Sequence, residues 1–188
     1  MTTINNTGNG LSGSTGSGSH VGSTSPTLVT PVLGVATATS LTFGGGVLST
    51  YTNFGTWTPT FTFATPGNLS MAYTSQLGFY SVIGNMVTIT FTLVCTPTFT
   101  TASGACSVGG LPLTSNSTAG NRAIGAAYVS AITTFPTTTT SPVLQVAANA
   151  TTMQLFGIGP SATTNNFTAT NFTTTTAITI ISSLTYLT

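Results

Sequence analysis

Threonine occupies the share of this chain that charged residues hold in most proteins, and that exchange limits the fold more than any motif does. Thr makes up roughly a quarter of the 188 residues, while Asp, Glu and Lys are absent and Arg122 and His20 are the only basic side chains. No window combines a 3.6-residue apolar period with strong helix formers. Thr and Val are stiff at χ1 and pack well on a pleated surface, so they favour strands. The chain is therefore expected to be all-β.

The clearest strand is Met86 to Val94, with Val87, Ile89, Phe91 and Leu93 on one face and Thr88, Thr90 and Thr92 on the other. Thr58 to Phe63 starts another, with Phe61 and Phe63 on one side. Shorter runs follow at Ala105–Val108, Ala126–Ile132, Val143–Ala147, Met153–Phe156 and Ala177–Leu187, separated by Gly, Pro, Asn and Thr clusters. Short strands at this spacing imply a β-sandwich or jelly-roll-like module. The last strand runs to Thr188. Read as an edge strand without a Lys gatekeeper, it is expected to pair between subunits, and a closed three-fold assembly would remove the exposed edge.

Two regions follow from the change in composition. Residues 1–50 read as an extended anchoring arm or stalk. Their first half is Gly, Ser, Thr and Asn, and Pro26 and Pro31 hold the next stretch extended until Gly44-Gly45-Gly46. Residues 51–188 read as the β domain. Met1 to Ser25 has neither the basic nor the apolar region of a signal peptide, and no apolar run approaches 18 residues despite a mean hydropathy of +0.42. A non-exported chain with no membrane insertion is expected.

Composition also bears on chemistry. Carboxylates, imidazoles and ammonium groups carry most proton transfer, metal binding and charge stabilisation, and they are nearly missing here. No catalytic, cofactor or metal site is expected, and a net charge of +1 leaves no footprint for nucleic acid. His20 has no ligand partner nearby in sequence. Arg122 reads as a solvated loop residue, with pairing to another protein's carboxylate as the alternative. Trp57, Tyr51, Tyr73, Tyr80 and Tyr128 can stack on sugars, but a lone aromatic beside a strand belongs more often to a core or interface. Cys95 and Cys106 flank one strand-loop-strand and read as half-buried thiols or a bridge. Six Asn-x-Ser/Thr sequons begin at Asn5, Asn68, Asn116, Asn149, Asn166 and Asn171. Composition alone gives about four.

Three motifs then occur in order. Gly55-Thr56-Trp57-Thr58-Pro59-Thr60-Phe61 resembles the G-x-W-x-P opening of a module found in bacteriophage tail-fibre and related virion proteins. Tyr80 to Thr88 resembles its Y-x-x-I-G-N-x-V-T strand, and Gly109-Gly110-Leu111-Pro112 its GLP turn. Thr24 to Thr39 is similar to its linkers. The likeness covers roughly residues 24–115 and extends beyond about residue 120 only in style. It implies a homotrimeric fibre or spike component of a virion, assembled in the host cytoplasm. Such a protein docks on another virion protein through residues 1–50 and presents its β domain to a host surface, where a neutral glycan is a possible receptor. A capsid-bound head fibre or decoration protein is the alternative within that class. A Thr-rich ice-binding protein is a remote one, from the Thr-x-Thr tracts at 58–60–62 and 88–90–92. A hydrolytic tailspike normally needs carboxylates that this chain does not have.

Overall fold

Alternation at period two is realised most fully in β6 (Met86–Thr98), where Val87, Ile89, Phe91, Leu93 and Cys95 are each at most 3% exposed. A computed structural model describes residues 41–43, 46–48, 53–160 and 164–188. β1 (Leu41–Phe43) and β2 (Gly46–Leu48) form a short antiparallel ribbon. The rest of the arm expected over residues 1–50, with His20 and Asn5, lies outside the described residues, as does Tyr51.

The other strands form one antiparallel hydrogen-bonded path. Its order is β3 (Asn53–Trp57), β5 (Ser70–Ile83), β6, β12 (Ile178–Leu187), β8 (Ala123–Val129), β9 (Ser141–Val146), β10 (Thr152–Ile158), β7 (Ser103–Gly109) and β4 (Thr60–Thr65). β11 (Thr164–Asn166) adds to β10. β8 turns the corner, with Ala127 to Val129 paired to β12 and Ala123 to Ala126 paired to β9. The sheet curls, and its inner face closes on a single core. Phe61 and Phe63 of β4, Leu144 of β9, Leu155 of β10 and Ile180 of β12 are each at most 2% exposed. The expected all-β, sandwich-like class holds.

Several elements differ from the sequence-based expectation. β5 was not anticipated: a bulge between Tyr73 and Ser75 breaks its alternation, and its large apolar residues Leu77, Phe79 and Ile83 face outward. Tyr80 to Thr88 is not one strand. Gly84, at φ 59°, and Asn85 turn the chain between β5 and β6, with glycine at the position that type II′ hairpin turns reserve for it. β8 begins three residues earlier than expected and stops short of Ala131, whose φ of 57° leaves the strand region. β6 runs on to Thr98 through Pro97, where Thr175 N–H donates to the Pro97 carbonyl beyond the last β12 pair. The final strand is not an edge. β12 lies between β6 and β8, and Asn116 N–H closes its end by donating to the Leu187 carbonyl at 2.7 Å. The two ends of that path are β3 and β4.

The register also organises the outer face of the β3–β5–β6–β12–β8 region. Leu77, Thr92, Ile181 and Tyr128 stand in one row across four strands. Thr56, Phe79, Thr90 and Ser183 form the next, and Ile83, Met86 and Leu187 close the hairpin end.

Trp57 joins β3 to this frame. Its ring meets Phe91 edge-on at 5.4 Å, and its Nε1 donates to the Phe79 carbonyl at 3.3 Å. It lies directly over Gly78, where an added Cβ would come within 2.6 Å of both Nε1 and the Trp57 carbonyl oxygen. Gly78→Ala is expected to lower the unfolding free energy by about 2 kcal/mol, read by urea denaturation with fluorescence of the single Trp. A loss below about 0.5 kcal/mol would show that β3 is not held as described.

Candidate functional site

The aromatics singled out from sequence are mostly spent on the fold. Trp57 is buried, and Tyr80 covers Gly55, where a Cβ would come within 2.9 Å of the ring. The Tyr73 hydroxyl accepts from Phe61 N–H at 3.1 Å, and Gln76 Nε2 donates to the Pro59 carbonyl at 2.8 Å. Both bonds tie β5 to the edge of β4. Tyr128 alone of the described tyrosines presents most of its ring to solvent. Arg122 is exposed in the loop before β8, as expected from sequence, and donates from Nη1 to Gln145 Oε1.

Cys95 and Cys106 are free thiols, and both are fully buried rather than half-buried. Loss of solvation pushes the Cys95 thiol up to about 12 and raises Cys106 further still, although a backbone hydrogen bond partly offsets the second. The Tyr186 hydroxyl is raised as well, by burial first.

Three described sequon asparagines have structural work. Asn68 Oδ1 accepts from Thr100 N–H and Thr101 N–H, each at 2.9 Å, and so clamps the loop after β6. Asn116 Oδ1 accepts from Thr118 N–H at 2.8 Å. Asn149 takes the left-handed region at φ 52°, which Asn tolerates.

The remaining two, Asn166 and Asn171, help to form an open groove of about 510 Å³. One wall is the segment from Thr134 to Thr137. The other is Asn165 to Asn171, through β11 and a single 3-10 turn at Ala169–Asn171. Asn171 joins them: its Nδ2 donates to the Thr134 carbonyl at 3.0 Å, its Oδ1 accepts from Thr168 N–H at 2.7 Å, and its carbonyl accepts from Thr133 N–H at 2.9 Å. Asn165 Nδ2 adds a bond to the Thr137 carbonyl at 2.8 Å. Phe135 stands at the groove 43% exposed, backed edge-on by the buried ring of Phe167 at 5.7 Å.

The rim carries strain. Thr139 N–H and its hydroxyl both donate to the Pro136 carbonyl, at 3.0 and 2.7 Å, closing a turn with Thr138 at φ 62°. A β-branched residue rarely adopts that conformation. Gly159 accepts the consequence, because a Cβ there would sit 1.7 Å from the Thr138 carbonyl oxygen.

The groove thus offers one aromatic face amid amides and hydroxyls, with no ionisable lining. The Asn166 amide makes no hydrogen bond within the described residues, and the Thr168 and Thr170 hydroxyls pair at 2.9 Å. Such groups can donate to and accept from a polyhydroxylated, uncharged ligand. Sequence reading missed this site because its walls lie about thirty residues apart and only tertiary hydrogen bonds bring them together. The adjacent Asn165-Asn166 pair was the available signal. The two Thr-x-Thr tracts do not form one array: Thr60 and Thr62 are on β4 at one end of the path, whereas Thr88, Thr90 and Thr92 are on β6, near the other.

The fold and groove together define a nearly uncharged β module with a polar recess. It is similar in fold to part of the Dettilon tailspike protein, whose crystal structure aligns with a TM-score of 0.56 at 15% identity over 73% of this chain. The alignment covers 24% of the tailspike chain, so this chain corresponds to about a quarter of that protein. No family model matches the sequence, and no curated protein matches it.

The buried thiols set a pH dependence. No side chain among the described residues titrates between pH 5 and 8. Stability is expected to be flat across that range. The folded thiols ionise above their ordinary value of 9.0, so their contribution is complete below pH 9 and is lost as pH rises toward 12. Urea denaturation at pH 7, 9 and 10 should show the loss approach about 1.4 kcal/mol per pH unit for each thiol. In a Cys95→Ala, Cys106→Ala variant the slope between pH 9 and 10 should largely vanish; an unchanged slope would assign it elsewhere.

Proposed function

We propose that this chain is a structural component of a bacteriophage particle, a fibre or spike module that works as an assembly of copies and attaches to a neutral host-surface glycan. The observation that carries the reading is the fold shared with part of a phage tailspike over 73% of the chain. The ordered motifs from Gly55 to Pro112 support it independently of that comparison. The groove between Thr134 and Asn171 supplies the attachment surface, with Phe135 as the platform for an apolar sugar face and Asn166 as the hydrogen-bonding group. Its role is binding rather than cleavage, because glycosidic hydrolysis draws on paired carboxylates and the chain contains no Asp or Glu.

The particle itself tests the first part. Gold-labelled antibody against residues 53–188 is expected to mark the tail tip or fibres of purified virions. Labelling spread over the head would replace the fibre with a capsid decoration protein, and particles free of label would overturn the virion assignment.

Binding tests the second part. On an array of uncharged oligosaccharides the full-length chain should retain at least one ligand, with Phe135→Ala and Asn166→Ala each weakening it roughly tenfold. Affinity should be unchanged from pH 5 to 8 and from low to high salt, since no charge takes part. Strong salt dependence, or indifference to both substitutions, would remove the groove from attachment.

A further inference from the structure

We propose that the outer face of the β3–β5–β6–β12–β8 region is covered in solution by other copies of this same chain. Twelve large apolar or aromatic residues stay exposed among the described residues, and eight of them stand on this one face. Phe54 is 80% exposed, Tyr128 60% and Phe79 56%. At their observed exposures the eight present on the order of 1,000 Å² of accessible surface, against roughly 300–600 Å² for the largest apolar patch on an ordinary monomer and ~800 Å² per partner in a standard interface. Scattered exposed side chains need no explanation, but rows aligned across four strands do.

Charge selects the occupant. The face holds no Lys, Arg, His, Asp or Glu; its polar members are Thr and Ser hydroxyls and the Tyr128 phenol. A partner with an ordinary density of Lys, Glu and Asp would bury charges against it with nothing to pair them. A second copy brings no carboxylate or ammonium side chain and only one guanidinium. Its Thr rows are also self-complementary, since each hydroxyl both donates and accepts, as Thr88 and Thr185 already do across β6 and β12 at 2.9 Å.

The location differs from what strand order suggested from sequence. β12 is internal, so association proceeds through a sheet face and not through the last strand. The inference deepens the assembly part of the proposed function and uses no groove residue, so the two fail separately.

Sedimentation equilibrium on the full-length chain is the test, with Phe79→Lys combined with Ile181→Lys, and Leu113→Lys as an exposed control off this face. The wild type and the control should sediment as the same closed oligomer, while the double variant dissociates with a constant raised roughly a hundredfold or more. Should the Lys variant fail to fold, Phe79→Thr with Ile181→Thr keeps strand propensity and should act in the same direction. Hydroxyl-radical footprinting of the wild type needs no variant, and Phe79, Met86 and Tyr128 should be protected in the oligomer. A wild-type monomer at all concentrations, an oligomer indifferent to both variants, or an unprotected Phe79 would each overturn the proposal. Retained glycan binding by a monomeric chain would sink this inference and leave the groove untouched.

Discussion

Only Thr58 and Pro59 separate Trp57, the last residue of β3, from Thr60, the first of β4. Those two strands are the opposite ends of the hydrogen-bonded path. A nine-strand sheet whose ends are two residues apart cannot lie flat; it must curl until its edges meet. Pro59 suits the link because it has no N–H to leave unpaired and favours extended backbone. The seam is then sealed from β5, where Tyr73 accepts from Phe61 N–H and Gln76 donates to the Pro59 carbonyl. Curling brings the inner faces of β6 and β12 toward those of β4, β7, β9 and β10. The aromatic cluster of Phe61, Phe63 and Phe172 forms between them.

The second constraint is the lack of charge. A β module normally protects its edges and outer faces with Lys and Glu. Here β3 and β4 are instead adjacent through the curl, and Asn165 and Asn171 tie the two walls of the groove together. The outer face has no comparable device. An uncharged surface loses less on desolvation than a charged one, and this links the neutral groove to the aligned apolar rows. It also leaves the buried thiols, elsewhere a minor term, as the groups whose raised pKa values set the expected alkaline dependence of stability.

Strand identity was legible wherever burial follows strict alternation. β6 and β12 carry an apolar residue at nearly every second position, and both were expected almost in full. β5 was hidden because its bulge shifts the phase and its outward positions are as apolar as its inward ones. Trp57, expected in a core or an interface, lies in the core. The groove was barely legible: Phe135 and Asn166 belong to separate Thr-rich segments, and beyond the adjacent Asn165-Asn166 pair nothing in either segment alone distinguishes a binding wall from a linker.

The amino-acid sequence by itself determined the all-β class, the nearly uncharged surface and the inward rows of β6 and β12, because these depend on side-chain type and a period of two. Strand order, the curl and the groove were decided only in the tertiary structure. They depend on pairings between segments far apart in the chain, and each local sequence is compatible with many of them. The placement of β12 shows the difference. Its residues say that it is a strand, but only its pairing with β6 and β8 says that it lies inside the sheet.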